Sequence, residues 1–226
     1  MALTVEQLLD EFRRQMDDTS EPFLWSDDAI IQFIDLAQRE FCRKTEVLTE
    51  SQSFSALAAN NGDVPIPSHV YRIKRAILDS NGAVLRLINL NEAVDQVYQD
   101  DYGAIGSLQW ETQRGTPRAV ILDYATGTIR LVPYPVVDDS ITLYYSYLPK
   151  RQITASSAST EISDVEHQLA MLWYARALAY NDHDADVYDP KAADRMRIMF
   201  EERIAQFAAD RKIGRRRAGT VRYGGY

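Results

Sequence analysis

Cysteine and long apolar runs are scarce in this sequence. Cys42 is the one cysteine among 226 residues, which excludes a framework of internal disulfides and fits a reducing compartment. No apolar run approaches the ~18 residues that a membrane helix needs. The N-terminal stretch is amphipathic and charged, unlike a signal peptide. We therefore expect a soluble protein with no membrane partner.

Signature motifs of enzymes are also missing. The chain has no G-x-G-x-x-G, no Walker A and no G-x-S-x-G sequence, so no loop for phosphates or serine nucleophile is indicated. Of three histidines, His167 is expected at a solvated position, and His183 is the best metal candidate because four aspartates surround it. We favour an inter-helix turn there, in which Asp189 caps the next helix. We predict no catalytic residue, cofactor or metal, although scattered carboxylates leave a cell-wall hydrolase as a further hypothesis.

Negative charge dominates the chain except at its C-terminus. The net charge is −8, yet residues 211–226 carry six positive and no negative charges, which leaves −14 on residues 1–210. A body this acidic repels DNA. A basic, glycine-rich segment that ends in tyrosines resembles an arm that becomes ordered on binding. The predicted arm residues are Arg211, Lys212, Arg215, Arg216, Arg217, Arg222, Tyr223 and Tyr226.

Capping signals predict helices at both ends of the chain. Thr4 with Gln7 forms a capping box for a first helix, and Ser26 caps a second. Ser163 with Glu166 is expected to open a third helix, and Asp189 before Pro190 a fourth that ends near residue 212. Glycines from Gly214 onward are expected to stop any helix.

The middle of the chain has the pattern of strands and turns. Asn81-Gly82 and Thr126-Gly127 separate β-rich runs, which predicts hairpins. The fold class is therefore α+β: a helical bundle formed by the N- and C-terminal helices, with an inserted antiparallel β-rich module and an extended C-terminal arm. The predicted boundaries are 1–46 with 160–212 for the helices, 47–159 for the β-rich domain, and 213–226 for the arm.

Tyrosines are concentrated in the β-rich part. The alternation in "ITLYYSYL" places one face of a strand toward a core and the other toward solvent. Tyrosine packs across strands and is also enriched at protein interfaces, and the sequence leaves both roles open. The predicted tail-facing or inter-subunit residues are Tyr134, Tyr144, Tyr145 and Tyr147.

Three motifs in this region resemble a known family. Gly115-Thr116-Pro117 precedes a strand, Leu131 to Pro135 reads L-x-P-x-P, and a tyrosine-rich strand ends in Leu148-Pro149. This pattern resembles the head-to-tail adaptor (connector) proteins of tailed double-stranded DNA phages. The predicted second and third helices are also similar to that family, so the resemblance spans most of residues 4–210.

The resemblance implies a structural role in the virion neck. It implies a homo-oligomeric ring, commonly of twelve copies, below the portal vertex, assembled in the host cytoplasm. The implied partners are the portal protein, tail, nozzle or tail-tube proteins, and genomic DNA that passes through the lumen without specific binding. The alternatives are a tail-completion or stopper ring one layer further out, and a DNA-binding protein that uses the basic arm.

Overall fold

The computed structural model describes residues 2–95, 113–182 and 188–218. The chain divides into two compact units, residues 1–47 with 149–226 and residues 48–148. Helices dominate the first unit and strands the second, so the α+β class is confirmed. The five described α-helices are α1 (Val5–Met16), α2 (Asp27–Thr45), α3 (Leu90–Asp95), α4 (Val165–Tyr180) and α5 (Pro190–Ala218).

Two of the predicted helix caps in the first unit are confirmed in atomic detail. The Thr4 hydroxyl accepts from the Gln7 amide, and the Gln7 side chain accepts from the Thr4 amide. The Ser26 hydroxyl accepts from the Ala29 amide at the start of α2. The predicted cap at Ser163 is wrong by one residue, because the Asp164 carboxylate accepts from the His167 amide. A carboxylate satisfies a free amide and also favours the positive end of the helix.

The apolar face of α2 packs inside the helical unit. Ile30, Ile34 and Phe41 are fully buried, and α4 contacts α1, α2 and α5. His167 lies between Phe41 and Phe207, with ring centroids 5.3 and 4.6 Å away. His167 is therefore only partly solvated, because two aromatic rings from other helices pack against a side chain that stays 24% exposed.

A buried arginine joins α1 to the start of α2. Arg13 is 6% exposed, and its Nη1 lies 2.6 Å from Oδ2 of Asp18. Its Nη2 lies 2.6 Å from Oδ1 of Asp27 and donates to the Trp25 carbonyl at 2.9 Å. Asp18 is itself 3% exposed and accepts the Leu24 amide. The guanidinium therefore compensates a carboxylate that has little access to water.

Residues 149–159 group with the helices, whereas the sequence assigns them to the β-rich domain. The reason is a long-range contact that no local pattern reveals. Ile153 is 5% exposed, and its amide donates to Oδ1 of the buried Asp35 on α2 at 2.9 Å. This contact explains why residues 149–159 group with the helical unit, while the boundaries and the independence of the two domains stay a prediction.

Among the described residues of the second unit, seven strands form one sheet in the order β1-β7-β3-β4-β5-β6-β2. Their bounds are β1 (Thr49–Ala56), β2 (Asp63–Pro65), β3 (Val70–Leu78), β4 (Val84–Ile88), β5 (Ala119–Ala125), β6 (Thr128–Val132) and β7 (Asp139–Tyr147). The predicted hairpins β3–β4 and β5–β6 are confirmed. The prediction of a fully antiparallel sheet is wrong, because β4 pairs with β5 in parallel. Residues 89–118 connect those two strands, which is long enough for a crossover.

The sheet encloses the apolar core of this unit. Leu131, Ile141 and Leu143 are fully buried within it. In β7 the buried side chains alternate with the more exposed Thr142 and Tyr144, as the sequence predicts. The ends of β7 and β3 meet at Asp79, whose carboxylate accepts from the hydroxyls of Ser53, Ser140 and Thr142.

Candidate interaction surfaces

The basic segment begins inside a helix. α5 continues to Ala218, so the expectations that the helix ends near residue 212 and that Gly214 stops it are wrong for residues 213–218. An internal glycine costs a helix only about 1 kcal/mol, and arginines near the C-terminus of a helix interact favourably with its dipole. Arg211 is exposed, and its Nη1 donates to the Thr45 carbonyl at the end of α2. The predicted Arg222, Tyr223 and Tyr226 lie outside the described residues.

Tyr134 is a packing residue of the β-rich unit. It is 7% exposed, and the Arg114 guanidinium lies 5.6 Å from its ring centroid. Gly62, at φ +76°, is in close contact with it, since a Cβ at Gly62 would lie 2.6 Å from the Tyr134 Cβ and 3.1 Å from the Leu131 carbonyl oxygen. Tyr134 therefore belongs to the interior of this chain.

Tyr145 and Tyr147 form an aromatic cluster on the core side of β7. Tyr145 is fully buried, and its hydroxyl lies 3.2 Å from Oε2 of Glu50 and 3.3 Å from Oε1 of Gln52 on β1. The half-buried Tyr147 meets the His69 ring at 5.9 Å, edge to face. These contacts assign both rings to cross-strand packing, one of the two roles that the sequence leaves open.

Tyr144 is the one predicted interface tyrosine that the structure places at the surface. It is 42% exposed, on the face of β7 opposite to Tyr145. The Arg75 guanidinium lies 6.0 Å from its ring centroid, at the outer limit of a cation–π contact. A cavity of about 320 Å³ beside it is lined by residues of β1, β3 and β7, including Lys74 and Ser51. Of the four tyrosines, Tyr144 is thus the one with an exposed side chain, and its contact with the tail or with another subunit stays a prediction.

Exposed apolar side chains mark two further surfaces that sequence reasoning missed. Val136 and Val137, in the connection between β6 and β7, are 61% and 72% exposed. On the helical unit, Leu169 of α4 and Met199 of α5 line a groove of about 440 Å³ together with Trp173. Leu169 and Trp173 have the helical spacing of core residues, so the sequence alone gives no signal that they line a groove.

Metal-binding side chains do not converge in the part of the chain that the structure describes. Within residues 2–95, 113–182 and 188–218, no three His, Cys, Asp or Glu residues are placed to hold a metal ion. Asp189 caps α5 by accepting the Lys191 and Ala192 amides, as predicted. His183 lies outside the described residues.

Cys42 is buried in α2 and should be unreactive in the folded protein. Burial, as the larger cause, and the nearby Glu161 carboxylate together raise the pKa of its thiol to about 12. At pH 8 only about one thiol in 10⁴ would be ionised, and the thiolate is the nucleophile. We expect Ellman's reagent to label Cys42 at pH 8 only after urea unfolds the chain. Stoichiometric labelling within the mixing time without urea would contradict this burial.

The raised pKa of Cys42 also determines how its contribution to the free energy of unfolding changes with pH. The unfolded thiol ionises near its ordinary pKa of about 8.5, while the folded thiol stays protonated. Its contribution to stability is therefore present below about pH 8.5 and is lost progressively as the pH rises toward 12.

A comparison with protein-family models identifies the family of this chain. A family model described as SU10 adaptor protein matches residues 3–223. No curated protein matches the chain. Among the described helices, none combines the length and the apolar character required to cross a bilayer.

Proposed function

Because the chain belongs to the SU10 adaptor protein family, we propose that its copies form a head-to-tail adaptor ring on the portal of a tailed phage. This ring extends the DNA channel below the portal vertex and provides the platform for the tail or nozzle. The strongest support is the extent of the match, since residues 3–223 include both compact units and most of the basic segment. Family membership favours a structural virion protein over an enzyme.

The basic C-terminal segment is the proposed portal attachment. Residues 211–226 carry six positive charges and no negative charge, and the first eight of them continue α5. Arginines form charge-assisted hydrogen bonds with carboxylates, often with two parallel bonds per pair. In a ring, many such segments bind together, and their effective concentration strengthens attachment. Tyr223 and Tyr226 supply aromatic anchors.

The acidic remainder of the chain suits a channel wall. Residues 1–210 have a net charge of −14, and a negative surface repels phosphates instead of holding them. DNA can then pass through the lumen without specific binding. We assign Tyr144, Val136 and Val137, which are among the exposed apolar side chains of the β-rich unit, to contacts with neighbouring copies or with the tail.

Charge reversal in the basic segment tests the attachment. We expect Arg215→Glu, Arg216→Glu and Arg217→Glu together to abolish binding of the purified protein to portal particles, because acidic side chains would replace the proposed partners of portal carboxylates. Co-sedimentation with portal particles measures binding, and electron microscopy of particles shows whether the adaptor layer is present.

The matched control reverses three exposed cations elsewhere on α5. Lys191, Arg195 and Arg197 are exposed, and changing them to glutamate alters the net charge equally. This control should still bind. Equal binding by both triple variants would remove the docking role of the segment. Binding only to portals that already carry another adaptor layer would favour the stopper alternative.

A DNA-binding role makes a different prediction for the same protein. It requires affinity for duplex DNA that falls steeply with salt, with a slope that reflects about five or six phosphate contacts. Loss of such binding in the Arg215–Arg217 variant, with portal binding intact, would favour that alternative over attachment.

A further inference from the structure

One edge of strand β1 has no neighbouring strand in the described sheet. β1 is the first strand in the order of the sheet, and it pairs with β7 alone among the described strands. β1 also contacts β2, and Ala56 at the end of β1 shares a buried cluster with Val64 of β2. We therefore take Thr49–Ser53 as the open part of this edge. An open edge offers backbone donors and acceptors in a row, and a further strand can bind to them.

Hydrogen bonding to β7 identifies which backbone groups are free. The Tyr147 amide donates to the Leu48 carbonyl at 3.1 Å, and these two residues face each other in the antiparallel register. In such a register, bonded and non-bonded pairs alternate. Glu50 and Gln52 therefore bond to β7, while the backbone groups of Thr49, Ser51 and Ser53 point away from it.

This edge has less protection against pairing than the other edge of the described sheet. Proteins commonly guard an edge with proline, charged side chains, a bulge or a very short strand, and Glu50 is the one charged residue of β1. β1 contains no proline or lysine, and its register with β7 is continuous over eight residues. By contrast β2, at the other edge, has three residues and ends in Pro65. Of the two edges of the described sheet, β1 is therefore the one better suited to pair with a further strand.

The sequence of the open part is nearly symmetric about Ser51. Thr49 and Ser53 both carry hydroxyls, and Glu50 and Gln52 have the same shape. A two-fold axis at Ser51 would place Thr49 opposite Ser53 and Glu50 opposite Gln52 of a second copy. The one charged side chain of this segment then faces a neutral amide, and no like charges meet.

We propose that β1 pairs antiparallel with β1 of a second copy of this chain, with the two-fold axis at Ser51. The backbone groups of Thr49, Ser51 and Ser53 in each copy form six hydrogen bonds, and two sheets join into one. The Tyr145 hydroxyl lies within hydrogen-bonding distance of Glu50 and Gln52, and Asp79 accepts from the Ser53 hydroxyl. These contacts hold three of the five side chains in strand geometry before the second copy arrives.

A two-fold contact of this kind closes after two copies and cannot by itself generate a ring. We therefore assign it to the free protein, where it covers an edge that would otherwise promote aggregation. This inference goes beyond the proposed function, and it does not depend on the basic segment. Since five residues per chain form a small interface, we expect a dissociation constant of about 10–100 μM.

Proline at the axis is the first test. The Ser51 amide points away from β7, so Ser51→Pro keeps the pairing within the chain while removing a hydrogen bond on each side of the axis. Sedimentation velocity of the full chain over a range of concentrations should show a monomer–dimer equilibrium that this variant weakens at least about tenfold. Ser51→Ala keeps the backbone bonds and should dimerise like the original protein.

A cross-link at the axis tests the register. Directly opposed residues in a bonded antiparallel pair have Cα atoms about 5.5 Å apart, within the range of a disulfide. Ser51→Cys should therefore form a covalent dimer under mild oxidation. In Ser53→Cys the Cα atoms of the two cysteines would be about 14 Å apart, which is too far for a disulfide. Cys42 is buried and does not compete.

Three results would overturn the proposal. The first is a monomer at all concentrations up to several hundred micromolar. The second is equal cross-linking of Ser51→Cys and Ser53→Cys. The third is a Ser51→Pro variant that sediments like the original protein but fails to enter particles, because this would assign the edge to a strand from another virion protein.

Discussion

Replacing Arg13 with alanine should lower the free energy of unfolding by about 3–5 kcal/mol. The guanidinium is buried and lies 2.6 Å from both Asp18 and Asp27. Without it, the Asp18 carboxylate stays buried and loses the cation that compensates it, and the Trp25 carbonyl loses a donor. Urea denaturation followed by circular dichroism measures the loss, and Trp25 fluorescence reports the same region.

The next residue of α1 provides the control. Arg14 is also an arginine and also pairs with an acid, Glu11, but its side chain is 69% exposed. Exposed pairs contribute little, so Arg14→Ala should leave the urea midpoint nearly unchanged. Adding Asp18→Asn to Arg13→Ala should recover part of the loss, since it removes the uncompensated charge. Equal midpoints for the two arginine variants would mean that the Arg13 network does not stabilise the unit.

A methyl group at Gly62 should destabilise the β-rich unit by about 2–4 kcal/mol, from a strained backbone and an overlap together. Gly62 has φ +76°, and its Cβ would lie 2.6 Å from the Tyr134 Cβ. A Cβ cannot rotate away as the end of a long side chain can, so the backbone near Tyr134 must move. The urea midpoint and the melting temperature of Gly62→Ala measure this effect.

Two other glycines separate strain from overlap. Gly82 and Gly127 have φ +67° and +72°, and nothing lies within 4 Å of a Cβ at either. Alanine at these positions should cost about 1 kcal/mol, from the backbone alone. If Gly62→Ala cost no more than these two variants, the packing against Tyr134 would be looser than the structure shows.

Features that depend on neighbours in sequence could be predicted. The capping box at Thr4, the cap at Ser26 and the hairpin at Asn81-Gly82 each require only a few consecutive residues. The alternation of burial along β7 is equally local, since the side chains of a strand point to opposite faces in turn. The sequence therefore predicts most helices and strands near their observed positions.

Features that depend on distant segments could not be predicted. Nothing around Asp35 indicates that it accepts the Ile153 amide, 118 residues later. The parallel pairing of β4 with β5 likewise depends on the path of a long connection. Gln168 is fully buried, and its side-chain amide is satisfied by hydrogen bonds to the backbone of Leu3. Each case requires knowledge of which elements meet, which composition and periodicity do not contain.

For the candidate surfaces, too, some features could be predicted from the sequence and others could not. The alternating pattern distinguishes Tyr144, which is exposed, from Tyr145, which is buried. It cannot show that Tyr134 is enclosed, since that depends on Gly62, far away in sequence. The symmetry about Ser51 is visible in the sequence, but it acquires meaning only once β1 is known to form an edge of the sheet.

Because α5 continues to Ala218, the first eight residues of the basic segment have fixed angular positions around the helix axis. At ~1.5 Å and ~100° per residue, the 29 residues of this helix form a rod of about 44 Å. Inserting one residue after Arg211 would turn the remainder of the helix by about 100° while moving it by only about 1.5 Å. A flexible coil would absorb such an insertion. A partner surface can thus distinguish the angle at which successive residues leave the helix axis as well as the number of charges they carry.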